Sequence, residues 1–163
     1  MRGKGRKAYG LEELAAIRRR LKRRGKKVVF TNGCFDLLHA GHVRLFHEAK
    51  KLGDVLIVAL NSDASVRRLK GPTRPIFPLR ERFEILTAVA DIDYLTSFRQ
   101  ATPQKIIAAL RPDVLVKGGD WGPDEIVGRA EVEAAGGRVA RVRYFEGHST
   151  SSLIRRIARS PLQ

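Results

Sequence analysis

The sequence predicts an α/β fold: an open, mostly parallel, Rossmann-like sheet of about five strands with helices on both faces, plus an N-terminal amphipathic helix. Short apolar runs alternate with segments of helical periodicity along the chain, which favours strand–helix–strand units. The run VLIVAL at residues 55–60 is apolar throughout, as expected of a strand buried on both faces of a parallel sheet. With 163 residues, 43% of them hydrophobic, the chain can bury a core of its own.

The N-terminal region is predicted to be a disordered start followed by a helix. Residues 1–9 are expected to be disordered, and apolar residues then recur at helical spacing from Leu11 until Gly25 offers a stop. We therefore divide the chain into a basic N-terminal arm and helix, residues 1–26, and a second domain, residues 27–163.

Strands and helices alternate after this point. Strands are predicted from the apolar or alternating runs at residues 28–30, 55–60, 92–95, 114–116 and 139–145. Helices are predicted from the remaining periodic segments at residues 43–52, 62–69, 79–90, 102–110, 123–135 and 149–158. Ser62 and Thr102 are expected to be N-caps, with Pro103 at the first position of its helix, and Gly53 is expected to end the helix before it.

The net charge of +15 is concentrated near the N-terminus, because residues 1–27 hold 12 Lys or Arg and two acids. Such an arm can bind nucleic acid, or it can be solvated without any partner. Tyr9 is the only aromatic residue among these charges, so we favour the solvated interpretation and do not expect a nucleic-acid partner.

The sequence also bounds the compartment. No apolar run approaches the roughly 20 residues of a membrane span, and the basic start lacks the apolar stretch of a signal peptide. Cys34 is the single cysteine, which excludes an internal disulfide and suits a reducing environment. We therefore expect a cytoplasmic protein with no membrane partner.

The most informative segment is TNGCFDLLHAGH at residues 31–42, which joins the first predicted strand to the next helix. His39 and His42 lie on either side of Ala40 and Gly41, where that helix is expected to begin. Backbone N–H groups and the positive end of the helix dipole face a ligand at such a point, and Gly41 allows a close approach. Two imidazoles there can donate hydrogen bonds to phosphate oxygens as charge develops in a transition state.

Two other interpretations of the histidines are weaker. One histidine could cap the helix while the other packs in the core, but their position between a strand and a helix favours a phosphate site. Zinc binding is not favoured, because no third ligand cluster with metal spacing accompanies the pair.

Residues 33–42 resemble the GxFDxxHxGH signature of the cytidylyltransferase-like nucleotidyltransferases. Residues 61–71, 111–120 and 146–151 are similar to segments of one branch, the heptose 1-phosphate adenylyltransferases, and the likeness runs from about residue 11 to residue 157. The first motif specifies the superfamily, and the other three segments together narrow it to the heptose branch. In that branch the domain occurs alone or as the C-terminal half of a bifunctional enzyme.

The resemblance implies transfer of AMP from ATP to D-glycero-β-D-manno-heptose 1-phosphate, which gives ADP-heptose and pyrophosphate for lipopolysaccharide or other surface glycans. It implies Mg²⁺ carried by the phosphates of ATP, with no metal held by a protein cluster. We also expect a homo-oligomer. A separate heptose kinase is expected as well, because the roughly 25 residues before the first strand are too few for a kinase half. A cytidylyltransferase acting on glycerol 3-phosphate or another phosphorylated alcohol is one alternative, and a nucleic-acid-binding protein is another.

Four residues receive catalytic roles from the resemblance. His39 and His42 are expected to bind the triphosphate and stabilise the transition state. Lys70, on a mobile loop, is expected to reach the phosphates, although it could be an ordinary surface lysine. Arg82 is expected to grip phosphate with its guanidinium, and Arg80 could do the same.

The nucleotide pocket is expected to combine the first strand end, the start of its helix, the fourth strand end and the start of the last helix. Its predicted residues are Thr31, Asn32, Gly33, Cys34, Phe35, Gly41, Lys117, Gly118, Asp120, Ser149, Thr150 and Ser151. Main-chain groups beside Gly118 would recognise adenine. Asp120 could contact the base or ribose, or it could cap a turn. The hydroxyls from 149 to 151 could be ordinary N-caps. Cys34 is interpreted as a packing residue rather than a nucleophile.

The chain departs from the family pattern near the last helix. An aromatic residue is expected where His148 stands, and an arginine is expected where Ser152 stands. The hydroxyls remain, but the last helix lacks that side-chain charge.

The acceptor pocket is expected to contain Asp36, Asn61, Asp63 and Trp121. Asp36 could bind a sugar hydroxyl or steer a bound metal, and Asn61 and Asp63 could bind sugar hydroxyls. Each of these three could instead cap a helix. Trp121 is equally well explained as a wall of the site or as a packing residue.

Overall fold

A computed structural model describes residues 6–119, 126–142 and 150–159. At its centre is a sheet of five strands in the order β3-β2-β1-β4-β5, all pairs parallel, which confirms the predicted Rossmann-like fold. The strands are β1 (Val28–Gly33), β2 (Val55–Asn61), β3 (Tyr94–Phe98), β4 (Val114–Gly118) and β5 (Arg138–Val142). The helices within the described residues are α1 (Leu11–Arg23), α2 (Ala40–Lys50), α3 (Asp63–Lys70), α4 (Leu79–Thr87), α5 (Gln104–Leu110), α6 (Arg129–Ala134) and α7 (Thr150–Arg159).

The central strands lie where the apolar runs predicted them. Residues 56–60 of β2 are fully buried, because β1 and β3 flank this strand and helices cover both faces of the sheet. β1 is longer than predicted and continues to Gly33, which is in register with Leu60. Ser62 is the N-cap of α3, as predicted, and its hydroxyl accepts a hydrogen bond from Ser65 N at 3.3 Å.

Several element boundaries were predicted wrongly. β3 begins at Tyr94 rather than at residue 92, and it continues through polar residues that gave no strand signal. α4 ends at Thr87 rather than at residue 90.

One helix start was also wrong, and in a second predicted helix residues 126–128 are not helical. Pro103 itself is the N-cap of α5, so Thr102 does not hold that position. α6 begins at Arg129, because Gly128 adopts a left-handed backbone (φ 91°) immediately before it. The predicted start at residues 123–125, like the end of the fifth predicted strand at residues 143–145, lies outside the described residues.

Two apolar clusters fill the two faces of the sheet. On one face, Leu14 of α1 packs with Ile107 of α5 and Val132 of α6 against β1, β2 and β4. On the other face, Phe46 of α2 and Leu86 of α4 pack against the same strands. The strands whose ends form the candidate site are thereby packed on both faces.

The prediction that residues 1–9 are disordered is wrong for the last three of them. Tyr9 N donates to Leu95 O at 2.9 Å, and Leu95 N donates to Lys7 O at 2.8 Å, so residues 7–9 lie parallel to β3 as an outer extension of the sheet. The ammonium of Lys7 also donates to Val89 O at 2.8 Å. The sequence of residues 7–9 gave no sign of this pairing, because the pairing is made by backbone groups.

The helices of the described residues include none that is both long enough and apolar enough to span a membrane.

Candidate active site

The carboxyl ends of β2, β1 and β4 lie side by side and form the floor of the site. From β1, the chain adds β2 and β3 on one side of the sheet and then β4 and β5 on the other side. The order of strand addition therefore switches between β1 and β4. Open α/β sheets bind their ligands outside the strand ends at such a switch point. The predicted segment at residues 31–42 crosses this point, since it contains the end of β1 and the start of α2.

His39 and His42 lie against each other at the N-terminus of α2. Their ring centroids are 3.7 Å apart with an angle of 23° between the ring planes. His39 is the N-cap residue with an extended backbone, and its carbonyl accepts from His42 N at 2.9 Å. Because the pair sits where the first N–H groups of the helix point outward, it can present ring and backbone donors to one anion.

His42 is held in its neutral form. Burial, together with the neighbouring imidazole of His39, lowers the pKa of His42 from 6.5 to about 3, although Asp36 acts in the opposite direction. Its Nδ1 atom is buried and has no hydrogen-bond partner within the described part of the chain. At neutral pH, the free protein therefore presents His42 as an uncharged imidazole, which donates from one nitrogen only.

Phe35 fixes the turn between β1 and the histidines. Its backbone is left-handed (φ 43°), its side chain is 5% exposed, and its ring contacts His42 edge-on at 5.3 Å and Phe46 at 5.0 Å. A Cβ atom on Gly33 would lie 3.0 Å from Phe35 Cζ, so a larger residue would press on the ring where it crosses the strand end. The contact with the Phe35 ring orients the imidazole of His42.

Asp36 is buried and binds the loop before α4. Its carboxylate accepts from Arg74 Nε at 2.6 Å and from the backbone N–H groups of Ile76 and Phe77 at 2.9 Å. The Asp36 side chain has no exposed area, and that of Arg74 is 11% exposed. The carboxylate predicted to bind the acceptor is thus occupied by protein donors, because it fastens residues 74–77 to the turn after β1.

Arg82 is the second such centre, and it is 1% exposed. Its guanidinium donates to three carbonyls and one carboxylate: Cys34 O at 2.7 Å, Asn61 O at 2.8 Å, Phe77 O at 3.0 Å and Asp63 Oδ1 at 2.8 Å. Arg80, the alternative phosphate-binding arginine, is exposed on α4. The arginine predicted to grip phosphate therefore uses four of its five N–H groups to join the ends of β1 and β2 to the loop before α4.

The two other predicted acceptor residues in the described chain belong to the same network. Asn61 is 4% exposed, and its amide donates to Ser65 Oγ at 3.0 Å. Asp63 Oδ1 accepts from Leu79 N at 2.8 Å as well as from Arg82. Both side chains therefore hold elements together at the edge of the site.

Lys70 is an exposed residue at the end of α3. Its charge acts on Cys34: burial raises the pKa of the Cys34 thiol, and the positive charges of Lys70, Arg82 and Arg74 only partly oppose this. The ammonium of Lys70 thus lies within electrostatic range of the turn after β1. A thiol with a raised pKa stays protonated at neutral pH, which is in accord with the packing role predicted for Cys34.

On the β4 side, Lys117 and Asn32 make direct contact. Lys117 Nζ donates to Asn32 Oδ1 at 2.5 Å, and desolvation lowers the pKa of Lys117 to about 8. The next residue, Gly118, packs against α2, because a Cβ atom there would lie 3.4 Å from Leu45 Cδ1. Thr31 is 1% exposed, and its hydroxyl has no hydrogen-bond partner in the described regions.

The structure brings the predicted residues of β1, α2, β2 and β4 to one edge of the sheet. Gly41 is the second residue of α2, and Thr150 and Ser151 open α7. Asp120, Trp121 and Ser149 lie outside the described residues. The sequence reasoning missed Arg74, and the one signal for it is that a buried carboxylate at the strand end must have a partner.

The described side chains provide no binding site for a metal ion. Within residues 6–119, 126–142 and 150–159, no three His, Cys, Asp or Glu side chains cluster as a metal site. Asp36, the carboxylate at the centre of the site, has both oxygens bound to protein donors. The described side chains thus do not fit a metal held by the protein itself.

Comparison with known proteins places these residues in a family. The model of the cytidylyltransferase-like family matches residues 30–156. The bifunctional protein HldE of Syntrophotalea carbinolica is 55% identical over 136 residues, which cover 83% of this chain and 28% of that protein. HldE of Citrifermentans bemidjiense is 53% identical over 154 residues, which cover 94% of this chain and 32% of that protein. The chain spans about a third of the length of these curated relatives.

A solved structure agrees with the family match. The crystal structure of the lipopolysaccharide core biosynthesis protein from Thermoplasma volcanium GSS1 superimposes with a TM-score of 0.61 at 30% sequence identity, and it covers 74% of this chain and 98% of that one. The family match includes both histidines and the ends of β1, β2 and β4. On these grounds, the chain belongs to the cytidylyltransferase-like family.

Proposed function

We propose that the protein is an adenylyltransferase that transfers AMP from ATP to D-glycero-β-D-manno-heptose 1-phosphate and releases pyrophosphate and ADP-heptose. The stacked pair of His39 and His42 at the N-terminus of α2 is the observation that carries this proposal. The similarity to HldE proteins and to a lipopolysaccharide core biosynthesis protein supports a heptose phosphate as the acceptor.

The reaction needs little beyond positioning and charge stabilisation. An oxygen of the sugar 1-phosphate attacks the α-phosphorus of ATP, and the bond from that phosphorus to the oxygen bridging to the β-phosphate breaks in line. The electron pair of that bond leaves with pyrophosphate. Because the attacking phosphate is already ionised at neutral pH, no general base is required, and donors placed around the reacting phosphorus supply the rate enhancement.

His39 and His42 would supply these donors. Each imidazole donates an N–H to oxygens that gain charge in the five-coordinate transition state, and the first backbone N–H groups of α2 add to them. Because His42 is neutral in the free protein, it does not repel Mg²⁺ or nearby lysines before the nucleotide binds. Bound triphosphate would favour protonation of the pair, because an adjacent anion raises the pKa of a histidine.

The other predicted site residues divide into two groups. Lys70 is proposed to reach the phosphates, since it is exposed and carries its charge near the turn after β1. We propose that Asp36, Asp63 and Arg82 are positioning residues, because their polar atoms are bound to loops of the site. A substrate contact with Asp36 would compete with these hydrogen bonds, because both of its carboxylate oxygens already accept from protein donors.

Mg²⁺ is proposed to accompany ATP and to neutralise part of its phosphate charge, as it does in many phosphoryl-transfer sites. The described side chains contribute no cage for it. Homo-oligomerisation stays a prediction that light scattering can test.

The test is an assay of the purified chain with ATP, Mg²⁺ and D-glycero-β-D-manno-heptose 1-phosphate. We expect an ADP-sugar and equimolar pyrophosphate, detected by mass spectrometry and a coupled pyrophosphate assay. A panel of ATP, CTP, GTP and UTP, and of sugar 1-phosphates and glycerol 3-phosphate, serves as the control for specificity. A clear preference for CTP and glycerol 3-phosphate would replace the adenylyl assignment by a cytidylyl one.

A further inference from the structure

Lys117 places a desolvated ammonium at the switch point of the sheet. β1 and β4 are neighbours with Thr31 in register with Val116, so the residues that follow, Asn32 and Lys117, lie side by side at the carboxyl edge. Lys117 Nζ donates to Asn32 Oδ1 at 2.5 Å. This contact lies in the same strand ends that carry the histidine motif.

The described neighbours leave this ammonium without a counter-charge. Its hydrogen-bond partner is an uncharged carboxamide, and no carboxylate of the described residues forms an ion pair with it. From β5, the residue in register with Lys117 is Arg141, which is also a cation, and the α2 residue against the following glycine is the apolar Leu45. Desolvation alone accounts for the lowered pKa of Lys117.

A purely structural role explains this arrangement poorly. An ammonium carries three donors, and a single carboxamide oxygen satisfies only one of them. A desolvated cation without a charged partner lowers stability, so a neutral side chain would link β1 and β4 at a lower cost in free energy. An anion that enters the site from solvent would satisfy the remaining donors and the charge.

We propose that Lys117 is an anion-binding residue of the active site: its ammonium, oriented by Asn32, receives a phosphate group of a bound substrate. This inference rests on the proposed function, because that function brings two phosphorylated substrates to the strand ends. The phosphate comes either from the nucleotide or from the sugar 1-phosphate, and both present the same chemistry to the ammonium.

Binding measurements on the full chain distinguish these two sources. ATP and heptose 1-phosphate are titrated separately, by calorimetry, into the wild type, Lys117→Met and the control Lys26→Met. Lys26 is an exposed lysine paired with Asp54 before β1, at the opposite edge of the sheet. We expect Lys117→Met to bind one of the two ligands about 10- to 100-fold more weakly, the scale of a lost charge-assisted hydrogen bond, and Lys26→Met to bind both as the wild type does.

A second measurement follows the proton. Because an anion raises the pKa of a lysine, binding at pH 8 should draw about half a proton into the wild type, as a group half ionised at its own pKa becomes fully protonated. Titrations in buffers of different ionisation enthalpy measure this uptake. We expect Lys117→Met to take up about half a proton less than the wild type, since any uptake by the histidines remains, while Lys117→Arg keeps the affinity and shows the same reduced uptake.

Several outcomes overturn the inference. Unchanged affinity of Lys117→Met for both ligands does so, as does equal proton uptake in the wild type and in that variant. If Lys117→Met fails to fold by circular dichroism, Lys117→Gln and Asn32→Ala replace it, and normal affinity in both variants has the same consequence. If the wild type itself makes no ADP-sugar, the proposed function fails; if it is active and the variants bind normally, only the role of Lys117 fails.

Discussion

Two buried arginines lie at opposite edges of the sheet, and they do different work. Arg18 of α1, 4% exposed, donates at the amino edge to Leu110 O at 3.2 Å, Arg111 O at 2.9 Å and Asp113 Oδ1 at 3.0 Å. It therefore joins one helix to one corner of the chain, where α5 ends and β4 begins.

At the carboxyl edge, Arg82 joins three segments that lead into the site: the turn after β1, the end of β2 and the loop before α4. Similar chemistry thus serves packing at one edge and the geometry of the candidate active site at the other. Burial and hydrogen bonding alone therefore do not distinguish the two arginines, whereas the segments that each arginine holds together do.

The largest expected effect is that of Arg82→Met, which should damage both stability and activity. Removing the cation leaves three carbonyls without their donor and Asp63 without its charge partner, so we expect a loss of about 3–5 kcal/mol in the free energy of unfolding. Because three loops of the site lose a shared anchor, kcat should fall on the order of 10³-fold, beyond the 10²-fold cost of a 1 Å misplacement. Urea unfolding and the ADP-sugar assay measure the two quantities.

His42→Ala should lower kcat by about 10²–10³-fold, the scale for one lost transition-state donor, and leave the fold intact. Single-turnover assays at saturating ATP measure the chemical step, and circular dichroism checks the fold. The matched control is His47→Ala, since His47 is an exposed residue of the same helix whose ring faces Asp91. Equal activity of His42→Ala and the control would assign His42 to packing alone.

Arg18→Met tests the other half of the comparison. It leaves two carbonyls of the α5–β4 corner without a donor and frees the partly exposed Asp113, so we expect a loss of about 1–3 kcal/mol in the free energy of unfolding. The activity of each folded molecule should not change, because none of these groups lies at the carboxyl edge. A fall in kcat similar to that of Arg82→Met would contradict the division of roles between the two edges.

The smallest expected effect concerns acid pH. His42 has a pKa of about 3 in the folded protein and about 6.5 when unfolded, so the unfolded chain binds the extra proton first. The contribution of neutral His42 is complete above pH 6.5 and is lost as the pH falls toward 3, by at most about 1.4 kcal/mol per pH unit. Urea unfolding at pH 7 and pH 5 should therefore show about 1–2 kcal/mol less loss for His42→Asn than for the wild type.

The sequence predicted those parts of the fold that depend on local patterns. The continuous apolar run of β2, the N-cap at Ser62 and the position of the histidines between β1 and α2 are all properties of neighbouring residues. β3 escaped correct placement because Thr96 and Ser97 carry no apolar signal, and its position is set by pairing with β2.

The contacts that shape the candidate site could not be predicted in this way. Asp36 and Arg74 lie 38 residues apart, and Arg82 and Cys34 lie 48 residues apart, so no periodicity or spacing connects them. Asp36 and Arg82 were expected to bind substrate, and Arg74 was not identified at all. Only the folded chain shows that each is surrounded by protein donors or acceptors.

The short pairing of residues 7–9 with β3 has a consequence for solubility. Without these residues, the outer N–H and C=O groups of Leu95 would be unpaired, and the middle of edge strand β3 would be open. Such edges recruit strands from other molecules and initiate aggregation. Residues 7–9 therefore act as a protective border at Leu95, and any shortened version of the protein should keep them.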